Sequence, residues 1–248
     1  MATIIQSETR ESPVTGSKDI LPVLDHLQEL LPLKKRQQAL PPPLRVVHRA
    51  ILRSLAATGK PPQQAKIAAM LGSKQSAMHA LAILGSNDLV ILSSPVVKEE
   101  KTKRPIVQEG VEVVGAYPMT TENTPHKVVV NGRPVNAMCA VDALVISPMF
   151  GQETRIESKC HVTGTPIHIR QRGTEFLETS PSPEIRVGIR WQSFSSCAAH
   201  TLCTEMVFLK DEETANSWRN TAPTTIDLLT LSEAVELGSA FFLPLLEE

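Results

Sequence analysis

A chain of 248 residues with 42% apolar side chains can bury a sizeable core, as one large domain or as two small ones. Its 25 Lys and Arg against 26 Asp and Glu leave a formal charge of -1, which excludes the global basic field that recruits nucleic acid or anionic lipid. No apolar run reaches the roughly eighteen residues of a membrane span, and the N-terminus Met1-Ala-Thr-Ile-Ile-Gln lacks the basic-then-apolar order of a signal peptide, so a cytoplasmic protein with no membrane partner is expected. In that setting Cys139, Cys160, Cys197 and Cys203 read as free thiols, and no C-x-x-C or H-E-x-x-H spacing marks a resident metal site.

Residues 1–18 are polar and carry no apolar period, which predicts a disordered tail. Between Ile20 and Leu33, Leu21, Leu24, Leu27, Leu30 and Leu31 recur at helical spacing, with Pro32 and Pro41-Pro42-Pro43 marking the exit. Three helices should follow. Leu44, Val47, Ile51, Leu52 and Leu55 line the first, which stops at Thr58-Gly59; Ile67, Ala68 and Leu71 line the second; Met78, Leu81, Ala82 and Leu84 line the third, after Ser73. Leu89–Leu92 and the alternating Val107–Ala116 then read as a hairpin, with Lys98–Arg104 at its solvated tip. Helices followed by a hairpin outline a winged helix, whose obvious function is DNA binding. The third helix, however, offers only Lys74 and His79 as cations between Ser73 and Gly85, too few for a groove-reading helix, so no nucleic-acid partner is expected.

From Gly115 the texture changes. Lys127–Val130 is a strand turned by Asn131-Gly132, and a helix carrying Cys139 follows, closed by Pro148 and Gly151. Thr154–Val162 and Ile167–Gln171 form a hairpin around Thr163-Gly164, which puts Cys160 on a strand. After the Ser/Pro loop Thr179–Pro183 come strands at Ile185–Trp191 and Thr201–Leu209, then helices at Glu212–Arg219 and Leu231–Leu237. Alternation along Thr201–Leu209 groups Cys203 with Thr201, Glu205 and Val207 on the less apolar face, where a thiol borders a cavity rather than filling a core.

The stretch Asn136-Ala-Met-Cys139-Ala-Val-Asp142-Ala-Leu144 places a thiol and a carboxylate three residues apart in an apolar run. In a helix that spacing puts both on one face, where a poorly solvated carboxylate keeps its proton and can trade it with the thiol. Such a pair suits chemistry that needs a soft nucleophile and an acid. The alternative is an ordinary buried cysteine beside a solvated helix aspartate, and the spacing alone leaves both open.

Taken together, Leu44-Arg-Val-Val-His48-Arg-Ala-Ile-Leu52, Gly115-Ala-Tyr-Pro118, Thr124-Pro-His126, the Cys139-Ala-Val-Asp142 stretch, Cys160 with Thr163-Gly-Thr-Pro166, Cys203 before Val207-Phe208, and Trp218 resemble the organomercurial (alkylmercury) lyases over about residues 44–248. The resemblance implies an α+β fold: an N-terminal winged-helix-like helical part at 19–114, after the 1–18 tail, and a catalytic part of antiparallel β-sheet with flanking helices at 115–248. It implies mercury detoxification by protonolysis of carbon–mercury bonds in alkyl- and arylmercury compounds. Cys139 and Cys203 become the catalytic thiols and Asp142 the proton-handling carboxylate, all three acting on the substrate and product mercury. No cofactor is implied; low-molecular-weight thiols are needed for turnover, and a mercuric reductase is a candidate receiver of the mercuric ion. Cys160 matches a cysteine regarded as structural in the family, Cys197 has no counterpart, and the Ser93–Glu112 hairpin is longer than the family pattern. A non-catalytic thiol-based heavy-metal binder and a winged-helix metal-responsive regulator are the competing functions.

Overall fold

A computed structural model describes residues 19–192 and 197–247. The expectation of a disordered tail at 1–18 lies outside the described residues. The helical N-terminal region contains α1 (Leu21–Leu30), α2 (Leu33–Gln38), α3 (Pro42–Thr58), α4 (Gln64–Leu71) and α5 (Lys74–Ser86). Its boundaries are set by local chemistry. Proline opens α3, Gly59 ends it with a left-handed φ of 71°, and the Ser73 hydroxyl caps α5 by accepting the Ser76 N–H at 3.0 Å.

The strands follow as β1 (Ile91–Leu92), β2 (Val97–Lys98), β3 (Pro105–Ile106), β4 (Val113–Ala116), β5 (Met119–Thr120), β6 (His126–Val130) and β7 (Arg133–Ala137). Only Val113–Ala116 of the expected Val107–Ala116 strand pairs with β1, while β2 and β3 make a small hairpin around the exposed 99–104 tip. After β7 come α6 (Ala140–Phe150), β8 (Glu153–Lys159), β9 (Pro166–Arg172), β10 (Glu175–Ser180), β11 (Arg186–Arg190), β12 (Met206–Leu209), α7 (Glu212–Arg219), β13 (Ile226–Thr230) and α8 (Leu231–Phe242). β10 and β13 have no counterpart in the sequence reading.

The result is a mixed fold of helices and antiparallel sheet. One sheet runs β1-β4-β5-β7-β6-β8-β9-β10 and a second runs β12-β11-β13. The β6–β7 turn uses Asn131 and Gly132 at φ of 47° and 76°, the two positive values a tight hairpin of this twist requires. Because β1 and β4 join the sheet that carries β6–β10, the N-terminal and C-terminal regions share one framework. α1 and α2 add to this by packing on the C-terminal end of the chain, where Gln37 Nε2 donates to the Leu245 carbonyl at 2.8 Å.

α6 is the centre of the molecule. It is apolar on every side, and Ala140 through Ser147 are all buried, as expected for a helix with no solvent face. It packs against α8, where Gly238 permits the approach: a β-carbon there would lie 3.0 Å from Val145 Cβ. Pro148 sits inside its last turn rather than closing it, and leaves the Leu144 carbonyl without its intrahelical donor. Gln171 Nε2, from β9, donates to that oxygen at 2.9 Å instead, and Gly151 ends the helix at φ 63°.

Candidate active site

The stretch between β7 and α6 sets the first thiol. Cys139 is not in the helix; it precedes α6 in extended conformation, with φ -150° and ψ -179°. The shared helix face expected from the spacing is therefore replaced by a cap. Cys139 Sγ accepts the Asp142 N–H at 3.3 Å, the bond a serine makes at the same position. Asp142 occupies the third helical position and is 1% exposed, which rules out the solvated-aspartate reading. Its Oδ2 is buried and has no hydrogen-bond partner among the described residues.

Cys203 arrives on different architecture. The expected Thr201–Leu209 strand is extended only over Met206–Leu209, and Cys203 lies in a 3-10 turn, Cys203–Glu205, preceded by another at Ala198–His200. The threonines cause this. Thr201 Oγ1 donates to the Cys197 carbonyl at 3.0 Å and Thr204 Oγ1 to the Thr201 carbonyl at 2.6 Å, local bonds that compete with an extended ladder. Cys203 still borders a cavity, but through the turn and not through strand alternation.

Two residues absent from the sequence reading as site residues hold this segment. Asp88, after α5, adopts a left-handed φ of 53°, and its Oδ2 accepts the Ala198 N–H at 3.2 Å. The buried Tyr117 hydroxyl donates to Asp88 Oδ1 at 3.1 Å and accepts the Ala199 N–H at 2.8 Å, with Cys197 Sγ at 3.5 Å. The helical region thus reaches the turn before Cys203 through the Asp88 carboxylate. A non-glycine residue at positive φ is an anomaly of the backbone, and a lone sequence does not reveal it.

The Sγ atoms of Cys139 and Cys203 and a carboxylate oxygen of Asp142 all lie within 4.8 Å of one another, all three residues buried. Burial holds the Cys139 thiol well above its ordinary pKa, reinforced by Cys203 and by the Asp142 charge. For Cys203, the contact with Cys139 favours the thiolate, but burial and the carboxylates of Asp142 and Asp88 together outweigh it and the value is raised. Burial also pushes Asp142 up to about 7, against smaller opposing contacts with both thiols. The site therefore keeps its thiol protons until a soft cation arrives to balance the negative charge of the thiolates.

Above the triad opens a cavity of about 560 Å³ lined by Cys203, Met138, Val207, Phe208 and His126, with Glu122 and His200 at its edge. Cys139 and Asp142 lie beneath, so a ligand meets Cys203 first. Burial lowers the His126 pKa to about 4, which makes its ring a neutral wall element; it hydrogen-bonds Ser158 Oγ at 2.9 Å and meets Phe208 edge-on. Glu122 and His200 pair at 2.9 Å on the rim. Of the other thiols, Cys160 is buried just past β8, in a turn closed by Gly164 N–H to its carbonyl at 2.9 Å, and not on the strand the alternation suggested. Cys197 is half-buried beside Tyr117.

The MerB alkylmercury lyase family model matches residues 119–243. The alkylmercury lyase of Bacillus cereus is 31% identical over 132 residues, 53% of this chain and 59% of that protein. That of Pseudomonas putida is 30% identical over 130 residues, 52% of this chain and 60% of that protein. The matched stretch thus spans about three fifths of the length of these relatives. A crystal structure of the mercury-bound form of MerB2 superposes with a TM-score of 0.65 over 87% of this chain and 98% of that one, at 22% identity, and shows the shared fold. Since the family model spans just over half of the sequence and includes Cys139, Asp142 and Cys203, the chain belongs to the alkylmercury lyase family.

Proposed function

We propose that the protein cleaves the carbon–mercury bond of alkyl- and arylmercury compounds by protonolysis, with Cys139, Cys203 and Asp142 as its catalytic residues. The observation that carries this reading is the convergence of two thiols and a carboxyl poised near pH 7 beneath one cavity.

In the first step the Cys203 thiol displaces the ligand X from R–Hg–X, giving R–Hg–S and HX. The Cys139 sulfur then binds the same mercury, and its proton passes to the Asp142 carboxylate, which near neutrality is partly ionised and able to take it. Two thiolates are the preferred donors for a soft metal, and their combined donation weakens the bond to carbon. Asp142 returns the proton to that carbon, R–H departs, and Hg(II) remains between the two sulfurs. Two molecules of a low-molecular-weight thiol then exchange for the protein sulfurs, restore both thiols and carry mercury off, with a mercuric reductase as its receiver. No cofactor enters, because mercury is substrate and product.

The finer architecture follows the same reading. We take α3–α5 with the β2–β3 hairpin as a winged-helix-like unit within residues 19–114, and 115–248 as the catalytic part. Lys74, one of the two cations on α5, pairs with Glu109 at 2.6 Å, which supports a scaffolding role over nucleic-acid binding. No helix among the described residues is long and apolar enough to cross a membrane, and we place the protein in the cytoplasm.

The test is incubation with methylmercury or phenylmercury and excess thiol, with methane or benzene measured by gas chromatography. Release above the thiol-only control is expected. A stoichiometric mercury complex without hydrocarbon would sink the lyase reading in favour of a metal-binding protein.

A further inference from the structure

We propose that the Met206 thioether is a third soft ligand for mercury held by Cys139 and Cys203, so that the metal sits on three sulfurs during cleavage and in the product complex. This rests on the function proposed above, and its test is separable from it. Met206 opens β12, immediately after the turn that carries Cys203, and is 3% exposed. Its Sδ lies 3.7 Å from Cys139 Sγ. Even for the small zinc ion, sulfur bonds of about 2.3 Å let two sulfurs on one metal lie up to about 4.6 Å apart, and a larger ion spans more, so this separation needs no rearrangement for a shared metal. The Cys203 and Asp142 donor atoms already lie within 4.8 Å of Cys139 Sγ.

Methionine is a common filler of irregular cores, and a filler alone would meet its neighbours with methylene and methyl as readily as with sulfur. Here the sulfur itself faces the thiol that caps α6. The chemistry suits the metal: a thioether is soft and selects soft ions, and it commonly serves as a weak, longer ligand beside stronger ones. Being neutral, it binds without shedding a proton or burying a further negative charge, which a third cysteine would do in a site that already resists ionisation. Its lone pair adds electron density to mercury, which favours departure of the carbanion to the Asp142 proton and then holds the mercuric product until external thiols compete.

The full chain, titrated with mercuric chloride against a competing small dithiol, reads retention without reference to turnover. Met206→Leu keeps the volume and apolar character of the side chain and removes only the donor. Retention is expected to weaken about tenfold, in the range found for groups that tune a metal site without dominating it. A second measurement needs no fold-perturbing change: with the methionines replaced by selenomethionine, X-ray absorption at the mercury edge should show a selenium neighbour that disappears in M206L. A mercury shell without selenium in the labelled parent would overturn the inference. Absence of hydrocarbon in the turnover assay would count against the lyase reading and leave this result standing.

Discussion

The two thiols stand on different kinds of support. Cys139 caps a helix buried on all sides, and its sulfur is fixed by the Asp142 N–H and by the packing of α6 between sheet and α8. Cys203 rides on short 3-10 turns whose position depends on the Ala198 and Ala199 N–H groups donating to Asp88 and Tyr117, residues remote in sequence. One support is core packing around a whole helix, and the other joins the buried Ala198 and Leu202 to a few polar contacts with distant residues. A site built this way has a rigid half that stores the acid and a half at the cavity that meets the substrate first.

The largest expected effect removes either half. Cys139→Ser and Cys203→Ser should each abolish turnover and tight mercury binding, since a hydroxyl is a hard, poorly ionised ligand. Cys139→Ser keeps a good helix cap and should melt near the parent temperature. A variant that still bound mercury with parent affinity would show that the wrong sulfurs had been paired.

The rigid half should also show itself in stability. Asp142 titrates at about 7 in the folded protein against roughly 4 when unfolded, so the native state binds the extra proton between these values. Its contribution is fully present below pH 4 and is lost as pH rises through 7, where the ionised carboxylate is buried beside two thiols. Asp142→Asn should therefore gain on the parent with rising pH, by as much as about 4 kcal/mol above pH 8. Equal pH dependence in urea unfolding of the two proteins would place the carboxyl in contact with water.

The polar half can be broken gently. Asp88→Gly relieves a left-handed residue while it deletes the carboxylate that holds the Ala198 N–H. Hydrocarbon release should fall by about 10–100-fold through misplacement of Cys203, with the melting temperature lowered by only a few degrees as the Tyr117 hydroxyl and Ala198 N–H lose their acceptor. Parent rates in this variant would mean that the turn holds itself.

The same contrast explains what could be read from the residues alone. Helices α3, α5 and α7 and the β6–β7 hairpin declared themselves through apolar period, caps and the Asn131-Gly132 turn. The Cys139–Asp142 pair was visible as a spacing, but its geometry came from capping, because an N-cap and its third residue meet as surely as two residues on one helix face. Cys203 sits in a turn and not on the expected strand, since alternation in Thr201–Leu209 mimics a β pattern while its threonines turn the backbone back on itself. Asp88, Tyr117 and Met206 were invisible as site residues because their roles arise from contacts across the fold.

Single-turnover hydrocarbon release from Asp142→Ala preloaded with phenylmercury separates the two roles proposed for the site, sulfur holding the metal and Asp142 moving the proton. Stoichiometric binding is expected, with benzene release slowed by about 10²–10⁴-fold, the usual contribution of a positioned proton donor. Release at the parent rate would contradict it and hand the proton to solvent or to another acid. Glu205 would be the first to examine, although it is already paired with Arg190 at 3.5 Å.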